Sequence, residues 1–105
     1  LKDLGWLKTP SDFSSNVVSS YYMYWVQLED EETRNDLAKY LKENGIYTTF
    51  RYYPLHWVEH YKETCGEWEL PNTERAAKTT LCLPLHQSLT HDEFSKIIEK
   101  VRSFK

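Results

Sequence analysis

Hydrophobic and polar positions along the chain sort into a short series of strands and helices. Residues 1–20 carry the weakest pattern: Ser11, Ser14, Ser15, Ser19 and Ser20 surround few apolar positions, so residues 1–19 read as a loop-like lead-in. Tyr21 to Leu28 is a run of aromatic and branched side chains without clean alternation, which predicts a strand covered in part on both faces. The acidic run Glu29 to Glu32 then marks a helix start, where the macrodipole favours negative charge. Leu37, Ala38, Tyr40 and Leu41 recur at helical spacing, and Asn44-Gly45 supplies the stop.

Ile46 to Tyr52 predicts a second strand, ended by Pro54, which has no N–H for a ladder. Leu55 to Lys62 reads as a short helical turn, and Thr64 to Pro71 as a surface loop. Asn72 or Thr73 caps a helix running to Thr80. Leu81 to Leu83 is a third short strand, closed by Pro84. Thr90 and Glu93 form a capping box for a last helix whose apolar face is Phe94, Ile97, Ile98 and Val101. The order predicts an α+β fold: about three strands, mainly antiparallel, with helices packed over them.

With 105 residues the chain makes one domain, residues 1–105, and no linker or repeat divides it. The net charge is −3 and the Lys and Arg residues are dispersed, which argues against a nucleic-acid partner. No apolar run approaches the ~20 residues of a membrane-spanning helix. Cys65 and Cys82 are too few for a disulfide framework, and reduced thiols point to a cytoplasmic setting. The start at Leu1 lacks both a signal-like pattern and Met, so a fragment or processed product is expected. Aromatics reach 15%, more than a core of this size must hide, so some are expected at a pocket or interface.

The stretch Arg51-Tyr52-Tyr53-Pro54-Leu55-His56 brings a cation, two phenols and an imidazole to a strand end. Its Arg fork suits phosphate or carboxylate oxygens, and its Tyr rings stack and donate. The same residues also suit an ordinary structural turn. His56 and His60 stand at i, i+4 with Cys65 nearby, but further ligands at a metal-site spacing are missing, so no metal is expected. Cys82, between Leu81 and Leu83, reads as a small buried hydrophobe. With 3 Gly there is no phosphate-cradling loop, and none of the nine lysines has a site-like setting.

Several motifs in order, Ser20-Tyr21-Tyr22, Leu41 to Thr48, Arg51 to His56, Leu70 to Ala77 and Leu81 to Thr90, resemble the C-terminal region of the DegT/StrS-type sugar aminotransferases. Two departures stand in the loop: Arg51 where many members carry His, and one residue fewer before Pro54. The resemblance runs from about Ser20 to the end. It implies that residues 20–105 are the small C-terminal domain of a fold-type-I, pyridoxal-phosphate-dependent enzyme that aminates a nucleotide-linked keto sugar. It further implies an amino-acid donor, a homodimeric parent, and a cofactor held mainly by a large domain that no position here matches. On that reading no residue of this chain is catalytic and the chain alone is inactive. The resemblance carries substrate contact onto Arg51, Tyr53 and His56, and also onto Tyr21 and Tyr22. The competing reading is a free-standing α+β module that binds a ligand or protein without catalysis.

Overall fold

The computed structural model describes residues 1–105. Its centre is a two-stranded antiparallel ladder, β1 (Tyr24–Gln27) against β2 (Thr80–Leu83). The register sets Val26 opposite Leu81, and both are fully buried, so this apolar cross-strand pair lies in the core. β1 is shorter than the aromatic run predicted. Continuing the register beyond Tyr24 and Leu83 would set Met23 against Pro84, which cannot donate, and Tyr21 takes a left-handed φ of 48° that turns the chain away. Tyr21 and Tyr22 are therefore exposed.

Each side of this ladder carries one further antiparallel bridge. Lys8 and Gln27 exchange two backbone hydrogen bonds of 2.8 Å, and Thr49 exchanges two with Cys82, at 3.1 and 2.9 Å. The predicted strand Ile46 to Tyr52 is thus present as a single bridge at Thr49. Four backbone segments lie side by side, and only the inner two form a full ladder.

Four helices surround it. α1 (Glu31–Glu43) starts at Asp30, whose carboxylate accepts the Thr33 N–H at 2.7 Å, and stops at Gly45, which takes φ 76°. It buries Leu37 and Leu41. A 3₁₀ turn at Leu55–Trp57 leads into α2 (Glu59–Cys65). α3 (Pro71–Thr79) begins earlier than either predicted cap, because Pro71 has the fixed φ and missing donor that suit a first helical position. The Glu74 carboxylate then accepts the free Leu70 N–H at 3.0 Å.

α4 (His91–Arg102) carries the capping box in full: Glu93 N–H donates to Thr90 Oγ1, and Thr90 N–H donates to Glu93 Oε2. Ile97 and Val101 are buried beneath it and Ile98 is half-buried. Phe94 is 51% exposed although it stands seven residues before Val101 on the same side. At the first turn that side lies over an open apolar groove with Leu85 and Leu89.

The weakly patterned start belongs to the same core. Leu7 is buried with Val26, Leu28, Leu37, Leu41 and Ile46. Asp3 takes both Arg102 Nη groups at 2.7 Å, and Trp6 packs on Phe104 with ring centroids 5.6 Å apart. That fork-to-fork contact joins the two ends of the chain. No helix is long and apolar enough to cross a membrane.

Candidate functional site

The segment after the Thr49 bridge leaves β2 and runs along the sheet edge as Phe50-Arg51-Tyr52-Tyr53. Arg51 turns toward the segment that precedes β1. Its Nη1 donates to Tyr22 Oη at 3.4 Å, and its guanidinium carbon lies 5.7 Å from the Tyr52 ring centroid. The Tyr22 and Tyr52 hydroxyls are hydrogen-bonded to each other. Two phenols sharing a proton contact beside a cation do not titrate alike. The bond to Tyr22, helped by Arg51, lowers the Tyr52 pKa, while the same bond holds Tyr22 above the ordinary tyrosine value.

This trio stands between two clefts. One, of about 640 Å³, is lined by Tyr22, Arg51, Cys82, His86, Glu93 and Lys96 among others. The second, of about 550 Å³, lies on the other side of Arg51, between Tyr52, Tyr53 and the α3 residues Thr73 and Ala76. Both volumes fall in the range of small-ligand pockets. Basic groups outnumber the one carboxylate around the first cleft, which favours an anionic or polyhydroxylated occupant.

Of the residues the sequence pointed to, Arg51 and Tyr22 come together. Tyr53 lines the second cleft, exposed, with its ring edge on Trp57 at 5.6 Å. His56 is turned away: its side chain is 7% exposed and its Nε2 lies 3.1 Å from Glu74 Oε1, tying the 3₁₀ turn to α3. Glu74 is thereby doubly satisfied, and the Leu70 N–H together with His56 holds its carboxyl below the usual range. Tyr21 is exposed and outside the cluster. Tyr52, one of the two phenols of the Arg51–His56 stretch but not among the expected substrate contacts, joins the cluster through Tyr22, thirty residues earlier.

Other reactive side chains are arranged structurally. His60 packs edge-on against Tyr61, and no three His, Cys, Asp or Glu side chains cluster closely enough to hold a metal ion. Burial pushes the Cys82 thiol up, away from the nucleophilic thiolate form. Of the nine lysines, Lys62 and Lys100 are half-buried and the rest exposed.

Fold and clefts together define a small α+β domain that presents arginine- and tyrosine-rimmed clefts at the edge of its sheet. The chain belongs to the DegT/DnrJ/EryC1/StrS aminotransferase family, whose sequence pattern matches residues 1–102, including the first nineteen that the resemblance left out. It is 42% identical over 106 residues to the dTDP-4-dehydro-2,3,6-trideoxy-D-glucose 4-aminotransferase of Saccharopolyspora spinosa, covering 94% of this chain and 26% of that protein. It superposes on the aminotransferase TlmJ of Streptoalloteichus hindustanus with a TM-score of 0.90 and 43% identity, over 99% of this chain and 27% of TlmJ. NtdA of Bacillus subtilis, solved with its cofactor PMP bound, matches at a TM-score of 0.76 and 26% identity, over 95% of this chain and 23% of NtdA. The chain thus spans about a quarter of the length of these relatives.

Proposed function

We propose that this chain is the small C-terminal domain of a pyridoxal-phosphate-dependent aminotransferase that transfers an amino group from an amino acid to a nucleotide-linked keto sugar. The observation that carries the reading is the Arg51–Tyr22–Tyr52 cluster between two ligand-sized clefts, in a chain of this family. A relative of comparable identity is named for a dTDP-linked keto sugar. The whole enzyme on this reading is a cytoplasmic homodimer.

The residues present do not fit the cofactor's covalent anchor. A Schiff-base lysine needs a desolvated amine, and none of the nine lysines is buried. The anchor and the proton transfers are therefore assigned to the rest of the enzyme, and this domain to orientation and water exclusion. Arg51 offers its fork to phosphate or hydroxyl oxygens, and Tyr22 and Tyr52 supply a donor and an acceptor beside it. Tyr53 gives the second cleft an aromatic wall. His56 serves from behind, holding the Pro54–Trp57 turn on α3 through Glu74. Tyr21 leads the chain into β1, with its exposed ring free for the same substrate.

The test uses the full-length protein carrying this chain, loaded with cofactor, with glutamate and dTDP-linked keto sugars. The expected result is an amino sugar detected by mass spectrometry. Arg51→Ala should lower kcat/KM for the sugar by about ten-fold, roughly 1.4 kcal/mol of transition-state binding, as for one charge-assisted hydrogen bond. Cofactor bound with no keto sugar aminated would refute the substrate class. Unchanged kinetics in Arg51→Ala would move the contact to Tyr53.

A further inference from the structure

Arg34, in the first turns of α1, is the one charged side chain the fold hides. It is 7% exposed, its Nη2 reaches Glu31 Oε1 at a long 3.4 Å, and its Nε–H has no acceptor. Glu31 offsets only part of the effect of burial, which pushes the guanidinium's pKa down. A buried cation so thinly paired needs some other contact to hold it in place. That contact is Phe50, whose ring centroid lies 4.2 Å from the Arg34 guanidinium carbon, well inside cation–π range.

Phe50 stands directly between the Thr49 bridge and Arg51. Three consecutive residues are thus fastened to three different parts of the fold. The Thr49 backbone is bonded in both directions to β2, the Phe50 ring lies on α1, and the Arg51 fork meets Tyr22 ahead of β1. Beyond Thr49 no backbone hydrogen bond holds residues 50–53, so the Phe50 ring is the last fixed point before the cluster.

We propose that Arg34 is a positioning residue: its guanidinium, clamped under the Phe50 ring, sets the course of the loop that brings Arg51 and Tyr52 to Tyr22. A flat cation suits this role because it presents a face to the ring while its edge stays packed in the helix. The ring, 54% exposed on its outer side, shields that cation from water. The catalytic consequence rests on the reading of this loop as the substrate-contacting one; the structural consequence does not.

Two measurements separate these. In the full-length protein with labelled Tyr, Val and Leu, NMR follows cross-peaks between the Tyr22 and Tyr52 rings, with the Val26–Leu81 cross-peak as a check on the ladder. Phe50→Leu and Arg34→Met should each abolish the Tyr22–Tyr52 cross-peak and leave Val26–Leu81 intact, whereas Phe50→Tyr, which keeps the ring face, should retain both. Phe50 is half-exposed, so Phe50→Leu decides the matter even if Arg34→Met fails to fold. A Tyr22–Tyr52 cross-peak surviving in folded Phe50→Leu overturns the proposal. In the full-length enzyme, Phe50→Leu should raise KM for the nucleotide sugar about five-fold or more, with kcat and the donor's KM little changed. A lost cross-peak with an unchanged sugar KM overturns the substrate reading of the loop and leaves the clamp standing.

Discussion

Leu41→Ala tests whether the core is built around α1 as described. Leu41 is fully buried near the end of that helix, and its backbone carbonyl accepts the N–H groups of Asn44 and Ile46 that close the helix. The substitution spares those bonds and removes three carbons from the centre of the apolar cluster. At ~0.8 kcal/mol per buried methylene the transfer loss is about 2.4 kcal/mol. A partly uncollapsed cavity raises the total to about 3–4 kcal/mol. A domain of this length has about 5–15 kcal/mol in all. With a urea dependence of about 1–2 kcal/mol per molar, the midpoint should fall by about 1.5–4 M, read by circular dichroism at the helix band. Phe94→Ala is the control. About half of that ring is already in water, so its loss should cost about 1 kcal/mol, though Phe is the larger side chain. A Phe94→Ala variant as unstable as Leu41→Ala would mean that the first turn of α4 seals the core, and the description of that helix face would be wrong.

Two further outcomes follow from the charges. Asp3, Asp30, Glu74 and Glu93 all have carboxyls held below their ordinary values by hydrogen-bond donors, Arg102 first for Asp3 and the Thr33, Leu70 and Thr90 N–H groups first for the others. The unfolded chain therefore binds more protons as pH falls through roughly 4.3 and 3.9, so Tm should drop on acidification from pH 6 to 3, and Asp3→Asn should make that drop shallower; a Tm that rises with acid would contradict the assignment. Mixing the 105-residue chain with pyridoxal phosphate and reducing with borohydride should give only scattered lysine labelling by mass spectrometry, and stoichiometric modification of a single lysine would show that an anchor had been overlooked.

Local chemistry explains which parts of the fold could be read ahead of the coordinates. The capping box at Thr90 and Glu93, the acidic start and Gly45 stop of α1, and Pro84 closing β2 are decided by residues within a turn of one another. Leu7 and Lys8 are different. Leu1, Leu4 and Leu7 recur over too few residues to mark an element, and the burial of Leu7 depends on its neighbour Lys8 bridging to Gln27, nineteen residues after Lys8. The Ile46–Tyr52 segment has the composition of a strand, yet it keeps only the Thr49 bridge. Phe94 obeys the helical period and still faces a groove, because the period fixes direction but not what lies opposite.

The site divides along the same line. The strand-end position of Arg51 was legible, whereas its partners were not: Tyr22 and Tyr52 meet only because β1 and the Thr49 bridge flank the same strand, β2. His56 shows the converse, a residue with the right chemistry that the fold spends on Glu74. Arg51 is not committed in this way. Its hydrogen bond to Tyr22 is 3.4 Å long and runs to a neutral oxygen, at the weak end of the range, while the guanidinium stays exposed between two clefts. An ionised phosphate or carboxylate oxygen makes a shorter bond about twice as strong, so the exchange of Tyr22 for such a ligand runs downhill. The freed Tyr22 hydroxyl keeps its bond to Tyr52, and no buried group is left unpaired. An arginine held loosely at a cleft rim, on a loop fixed firmly one residue earlier, can change partners without the fold having to move.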